Sequence, residues 1–290
     1  MLTTVAAGRV FDYNYCIGMY AMNGQGLWTP QDFALGSGGI MYIINRGVEE
    51  VGQRISRITV DHEFLGQFGG FGAGDGQFIW PVSIDLDRDE NIYATDERLN
   101  RISVFDKEGK FLSKWGTPGT SDGEFAGASG IAFDADDNLY VVDSKNHRVQ
   151  LFSKDGKFIS NWGSQGSGQG ELETPWGICV DNNGDVYVAD WGNERVQVLG
   201  PDGSFQMILR GEATVSKWAE AYFDSNPEEK AERDISNLKP ELPAHLNTPY
   251  HISSQTEPYF WGPVSVSLDR EGRLYVAETN RHRFQVYQRR

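Results

Sequence analysis

Val186-Tyr-Val-Ala-Asp190, followed five residues on by Arg195-Val-Gln-Val-Leu199, is one copy of a pattern that the chain carries five times. Further copies stand at Ile92-Tyr93-Ala-Thr-Asp96 with Arg101-Ile-Ser-Val-Phe105, at Leu139-Tyr140-Val-Val-Asp143 with Arg148-Val-Gln-Leu-Phe152, and at Leu274-Tyr275-Val-Ala-Glu278 with Arg283-Phe-Gln-Val-Tyr287. A fainter copy centres on Tyr42. Tyr93, Tyr140 and Tyr187 are spaced by 47 residues, a period in the class that builds propeller blades. Working outward from Tyr187, Trp176-Gly-Ile-Cys-Val180 reads as a preceding strand and Asp181-Asn-Asn-Gly-Asp185 as the hairpin turn between them. Asp190-Trp-Gly-Asn-Glu194 crosses to the arginine-led third strand, and Gly200-Pro-Asp-Gly203 turns into a fourth. Glycine-rich links, Trp115 to Phe125 and Trp162 to Leu172, then carry the chain to the next module. The expected architecture is an all-β propeller of four-stranded blades.

Two departures shape the expected ring. The last copy stops after three strands, whereas Val10 to Gly18 ends in Ile17-Gly18, matching the Trp-Gly that closes the fourth strand elsewhere. The N-terminal strand is therefore expected to complete the last blade and close the ring, removing an exposed sheet edge. From Tyr187 to Tyr275 is 88 residues, so an insertion, residues 211–262, interrupts the period. Within it, Trp218, Tyr222 and Phe223 fall at helical spacing and Pro227 is placed to start a second helix, so a helical excursion is expected. The insertion replaces a link from strand four to strand one, which puts it on the face where the loops from strand two to strand three also emerge, here called the top face.

A chain of 290 residues has room for two domains of about 100 to 200 residues each. The repeat instead makes residues 1–290 one ring. The 34 glycines and 12% aromatic content suit short strands joined by tight turns and packed by large rings. Acidic residues outnumber basic ones 41 to 26, and the net charge of −15 repels phosphate backbones, so nucleic acid is not an expected partner. Met1 to Val10 has neither a basic leader nor an apolar core, and no run approaches the roughly 18 apolar residues of a membrane span. A soluble, acidic, cytoplasmic protein is the expectation. Cys16 and Cys179 alone indicate neither a disulfide framework nor a cysteine metal cluster.

Residues 175 to 198, running Pro-Trp-Gly-Ile-Cys-Val-Asp-Asn-Asn-Gly-Asp-Val-Tyr-Val-Ala-Asp-Trp-Gly-Asn-Glu-Arg-Val-Gln-Val, resemble an NHL repeat. Residues 128 to 152 match almost as well, and the pattern covers roughly residues 28 to 210 and 261 to 287. The family usually forms six-bladed propellers, so the resemblance implies six blades, one of them drawn from the insertion. NHL-like propellers often serve as interaction modules. More distantly similar propellers include the gluconolactonase-like enzymes, which hold a divalent cation in the channel, and the peptide-amidating lyases, which use zinc.

The top face gathers the candidate binding residues. Trp80, Trp176 and Trp261 introduce inner strands, and Trp218, Tyr250, Tyr259 and Phe260 lie in the insertion. Such rings either line a pocket or partner patch, or pack blades and fasten the insertion. The repeated turns Asp143-Ser-Lys-Asn-His-Arg148 and Asp190-Trp-Gly-Asn-Glu-Arg195 read as structural, because a catalytic constellation is normally unique. Asp85-Leu-Asp-Arg-Asp89 and Asp134-Ala-Asp-Asp-Asn138 resemble calcium loops, yet lack the downstream glutamate and sit at hairpin positions where aspartate serves turn geometry. The five histidines show no HxxxH or HxH spacing, although His147 and His282 occupy equivalent loops and His245 and His251 lie in the insertion. There is no GxSxG elbow or phosphate-binding glycine loop.

The reading that follows is a non-enzymatic binding or scaffold propeller that needs no cofactor and engages a protein, or a small ligand, through its top face. A metal-dependent hydrolase or lyase is the alternative. It would use a calcium or zinc ion at the central channel, with Asp32, His251, His282 and Glu278 as the candidate ligands. A third reading is a subunit of a larger assembly docking through the insertion.

Overall fold

The computed structural model describes residues 3–6, 9–12, 19–22 and 24–288. Five antiparallel sheets follow one another along the chain. The first blade comprises Pro30–Leu35, Ile40–Asn45, Arg54–Thr59 and Phe64–Gly69, and the second Pro81–Leu86, Ile92–Asp96, Arg101–Phe105 and Phe111–Trp115. The third runs through Ala128–Phe133, Asn138–Asp143, Arg148–Ser153 and Phe158–Trp162, and the fourth through Ile178–Val180, Val186–Asp190, Arg195–Leu199 and Phe205–Leu209. The fifth has three strands, Pro263–Leu268, Arg273–Glu278 and Arg283–Gln288.

Middle strands such as Ile92–Asp96 and Arg195–Leu199 are buried throughout, which is why they read as unbroken apolar runs rather than alternating ones. Each is covered on both faces by neighbouring blades. The inner strands approach so closely that a Cβ added at Gly130 would lie 2.5 Å from Trp176 O, and one at Gly177 2.6 Å from Val264 O. Glycine is required at both positions. The repeated tyrosine fastens blade to blade where a partner carbonyl is in reach: Tyr42 Oη donates to Lys107 O and Tyr93 Oη to Lys154 O, both at 3.1 Å.

An arginine clasp recurs in all five blades. Arg195 Nε donates to Asp190 at 2.6 Å while its other nitrogens donate to the carbonyls of Ser167, Gly168 and Glu171 in the preceding link. Arg101 grips Ala73, Gly74 and Gln77, Arg148 grips Ser121 and Glu124, and Arg283 grips Glu257, Pro258 and Tyr259. In the first blade Arg54 holds the carbonyls of Ala21, Met22 and Gly26. In the third and fourth blades the Asp-x-x-Asn-x-Arg turns are thus the means by which the preceding glycine-rich link is pinned.

Two expectations are corrected. The insertion adds no sixth blade, since it holds three helices: α1 Lys217–Ser225, α2 Pro227–Ile235 and α3 Pro249–Gln255. Its two predicted helices are present, with Ser216 Oγ capping α1 and Pro227 opening α2. Nor, among the described residues, does an N-terminal strand join the last blade. Thr3–Ala6 and Arg9–Asp12 pair with each other, and Ile17 and Gly18 lie outside the described residues.

Core clusters fill the four junctions from the first blade to the fifth. Among the described residues none bridges the fifth blade and the first. Phe33 on the first inner strand is 54% exposed, whereas Ile84 at the matching position of the second blade is 3% exposed. On the opposing side Phe284 is 71% exposed, against 0% for its counterpart Val196. Among the described residues the ring therefore has one uncovered seam.

Candidate functional site

The predicted top-face placement of the insertion is observed. α3 packs on Trp191–Asn193, the turn between the second and third strands of the fourth blade, and Arg281 from the matching turn of the fifth donates to Ser253 O and Ser254 O. The aromatic candidates on this face do not converge on one pocket. Tyr250 and Trp261 meet edge to face at 5.7 Å, with the Arg281 guanidinium 5.5 Å from the Trp261 ring centroid. Trp80 forms a separate station, half-exposed between Arg46 at 5.3 Å and Arg98 at 5.8 Å, with Arg46 ion-paired to Glu97 at 2.8 Å. Cation–π contacts of this kind hold the ring upright and present its free edge to solvent.

Trp176 stands at the wall of the central channel, its carbonyl accepting from Gly130 N at 2.9 Å and Ser129 Oγ at 3.2 Å. Tyr259 is half-buried and lends its carbonyl to Arg283. Phe260 belongs to the core between the last two blades, edge to face with Tyr287. Trp218 lies on α1 and is 75% exposed.

The pairing of α1 and α2 is the least embedded part of the described chain: neither helix has a buried residue. Tyr222 Oη donates to Glu229, and Arg233 lies 5.8 Å over the Phe223 ring, so the two helices bind each other. Trp218, Tyr222 and Ile235 face solvent. The same two helices carry Glu220, Asp224, Glu228, Glu229, Glu232 and Asp234 against Lys217, Lys230 and Arg233, so the pair is net acidic.

The central channel encloses a cavity of about 480 Å³ lined by the inner strands of all five blades. Alternate residues of a strand share a face, so Asp32 and Ser83 project there from equivalent positions and Asp85 from two residues further on. Asp32 accepts from Ser83 Oγ at 2.6 Å and from the amides of Ile84 and Phe33 at 3.1 and 2.9 Å. Asp85 accepts from Phe133 N at 2.9 Å and Leu86 N at 2.8 Å. Burial raises both carboxyls against these hydrogen bonds, and the neighbouring Asp32 charge helps lift Asp85 to about 6. Cys179 also lines the channel, where burial pushes its thiol up and leaves it a poor nucleophile.

The four candidate metal ligands occupy different environments. Asp32 is in the channel wall. Glu278 is buried in the last arginine clasp, accepting from Arg283 Nε at 2.8 Å and Gln285 at 2.9 Å. His251 hydrogen-bonds Thr248 Oγ1 at 2.8 Å on α3, and His282 ends an exposed turn. Among the described residues no three His, Cys, Asp or Glu side chains converge as a ligand set. The acidic hairpins are turn devices: Asp134 Oδ1 accepts from the amides of Asp136 and Asn138, and Asp87 Oδ1 from those of Asp89 and Asn91. Asp85, read in sequence as part of such a turn, instead belongs to the inner strand. Its pairing with Tyr93 keeps it in the strand, two residues beyond Ser83 and on the same face.

No curated protein matches the sequence. Among solved structures, a catalytically inactive virginiamycin B lyase from Staphylococcus aureus with quinupristin is 13% identical, with a TM-score of 0.53 over 90% of this chain and 70% of that one. A gluconolactonase from Xanthomonas campestris is 17% identical, with a TM-score of 0.53 over 86% of this chain and 69% of that one. A Bacteroides caccae protein of unknown function is 15% identical, with a TM-score of 0.52 over 87% and 71%. At these identities the likeness is one of fold. The NHL repeat family matches residues 125–152, 172–199 and 260–287, which span the first three strands of the third, fourth and fifth blades. The chain is a five-bladed β-propeller that carries NHL repeats.

Proposed function

We propose that this propeller is a non-enzymatic binding scaffold that engages a protein partner through its top face, with the α1–α2 pair as the docking element. The observation that carries this reading is an element of two helices with no fully buried residue that exposes Trp218, Tyr222 and Ile235 on a net acidic pair. Large rings held on short helices give contact area at low entropic cost, and a net acidic pair favours a partner whose apolar groove is bordered by Lys and Arg. NHL propellers often act as interaction modules, which supports the reading by analogy. The test is site-specific photo-crosslinking from position 222, with a hairpin position on the opposite face, Asp155, as control. The reading expects a discrete adduct from position 222 that Trp218→Asp abolishes. Equal labelling from both positions, or an adduct indifferent to Trp218→Asp, would sink it.

The second reading, a hydrolase or lyase acting in the channel, draws on the paired carboxyls Asp32 and Asp85 and on the lyase and lactonase activities of the two enzymes of similar fold. The described residues offer a divalent cation no converged set of three His, Cys, Asp or Glu ligands, and Glu278 is committed to Arg283. Elemental analysis of protein purified without chelator or metal-affinity tag separates the readings. Stoichiometric metal, with a thermal shift on adding calcium, zinc or manganese, would favour the enzyme.

A further inference from the structure

The turns between the second and third strands of blades two to five end on equivalent residues in left-handed backbone: Asn100, His147, Glu194 and His282, with φ between 51° and 54°. Three of them bridge to the next blade. Asn100 Oδ1 accepts from Gly127 N at 2.6 Å, His147 Nδ1 from Thr174 N at 3.1 Å, and Glu194 Oε2 from Gly262 N at 2.5 Å. An amide oxygen or a neutral imidazole suffices for this bond, yet the junction of the fourth and fifth blades uses a carboxyl that is only 4% exposed. The adjacent amide, Trp261 N, donates to the buried Glu278 at 3.0 Å. The Trp261–Gly262 peptide is thus held between two buried acids.

Cations near this junction are already engaged. Arg283 pairs with Glu278, and Arg195, beside Glu194 on its own strand, pairs with Asp190. Arg281 lies over Trp261 and donates to the carbonyls of α3. α3, seated on the turn that ends in Glu194, brings only Tyr250 and His251 as titratable side chains, and Glu257 of the returning insertion is paired to Arg233. Glu278 is the charge that Glu194 feels. Burial and that charge together lift the Glu194 carboxyl to about 7, against the opposing pull of the Gly262 amide.

We propose that Glu194 is a proton-operated latch between the fourth and fifth blades, firm when protonated and loosened when ionised, that sets how tightly the returning end of the insertion is seated. The inference is independent of what the top face binds. Its sign follows from linkage: the unfolded glutamate ionises near pH 4.3 and the folded one near 7, so the junction weakens as pH rises across that interval and the loss is complete above it.

The experiment pairs a ¹³C titration of the glutamate carboxyls, with Glu194 assigned through the Glu194→Gln variant, with hydrogen exchange of the Gly262 amide and residues 249–262 between pH 5 and 7.5. After correction for intrinsic exchange, the wild type should show a midpoint near 7 and protection that falls by up to about tenfold per pH unit. Glu194→Gln should show no such slope. A Glu194 midpoint in the ordinary carboxylate range, or a slope unchanged in the variant, overturns the proposal. If the variant fails to fold, the wild-type exchange of the Gly262 amide decides, and protection that does not fall between pH 5 and 7.5 overturns the proposal.

Discussion

Arg195 is the least exposed of the clasp arginines, and its guanidinium is shared between Asp190 and three link carbonyls. Arg195→Ala would leave Asp190 buried without its cation, a loss of about 3 to 5 kcal/mol that urea denaturation should register. In the channel, Asp85 has a carboxyl raised to about 6, so its protonated form is favoured in the folded state. Stability from this group is present at pH 4 and declines as pH rises towards 6. Asp85→Asn should therefore flatten the pH dependence of unfolding between pH 4 and 6, recovering at most about 3 kcal/mol at neutral pH. Denaturant melts at both ends of that window check the sign. Asp85 also shows why the channel was only partly legible: Asp85-Leu-Asp-Arg-Asp89 has the composition of a turn, and only pairing with Tyr93 reveals that its first residue is still in the strand.

The elements were legible in proportion to their repetition. Strands two and three announce themselves through a tyrosine and an arginine at fixed spacing, because the same burial and the same clasp recur in each blade. α1 and α2 were visible from aromatic spacing and from Pro227. α3 was missed because its seven residues are too few to establish a helical period, although Thr248-Pro249 supplies both an N-cap, accepting from His251 N, and a first-turn proline. Phe260 and Tyr259 are neighbours with similar side chains, and nothing local tells which one enters the core. Because Trp218 and Tyr222 are 75% and 50% exposed, Trp218→Ala and Tyr222→Ala should each change global stability by no more than about 0.5 kcal/mol. Thermal unfolding tests this, and a larger loss would assign these rings a packing role instead of a docking one.

At the scale of the whole molecule the seam is the feature that periodicity concealed. Apolar residues stand at Phe33 and Phe284 as they do at the matching positions of inner blades, so both read as core, yet Phe33 and Phe284 remain exposed where Ile84 and Val196 are buried. Ile84→Ala should cost about 2 to 4 kcal/mol, whereas Phe33→Ala at the equivalent position should cost under about 1 kcal/mol. Comparable losses at the two sites would show that the seam is covered in solution. The arginine clasp has a further consequence, in time. Arg101, Arg148 and Arg195 each fasten carbonyls that lie 24 to 28 residues earlier in the chain. Each clasp therefore becomes possible as soon as the third strand after its link has been synthesised, before the next link is complete. The fold is thus written as a ratchet that advances from the N-terminal side, one tooth per blade, with no distant segment needed to set each tooth.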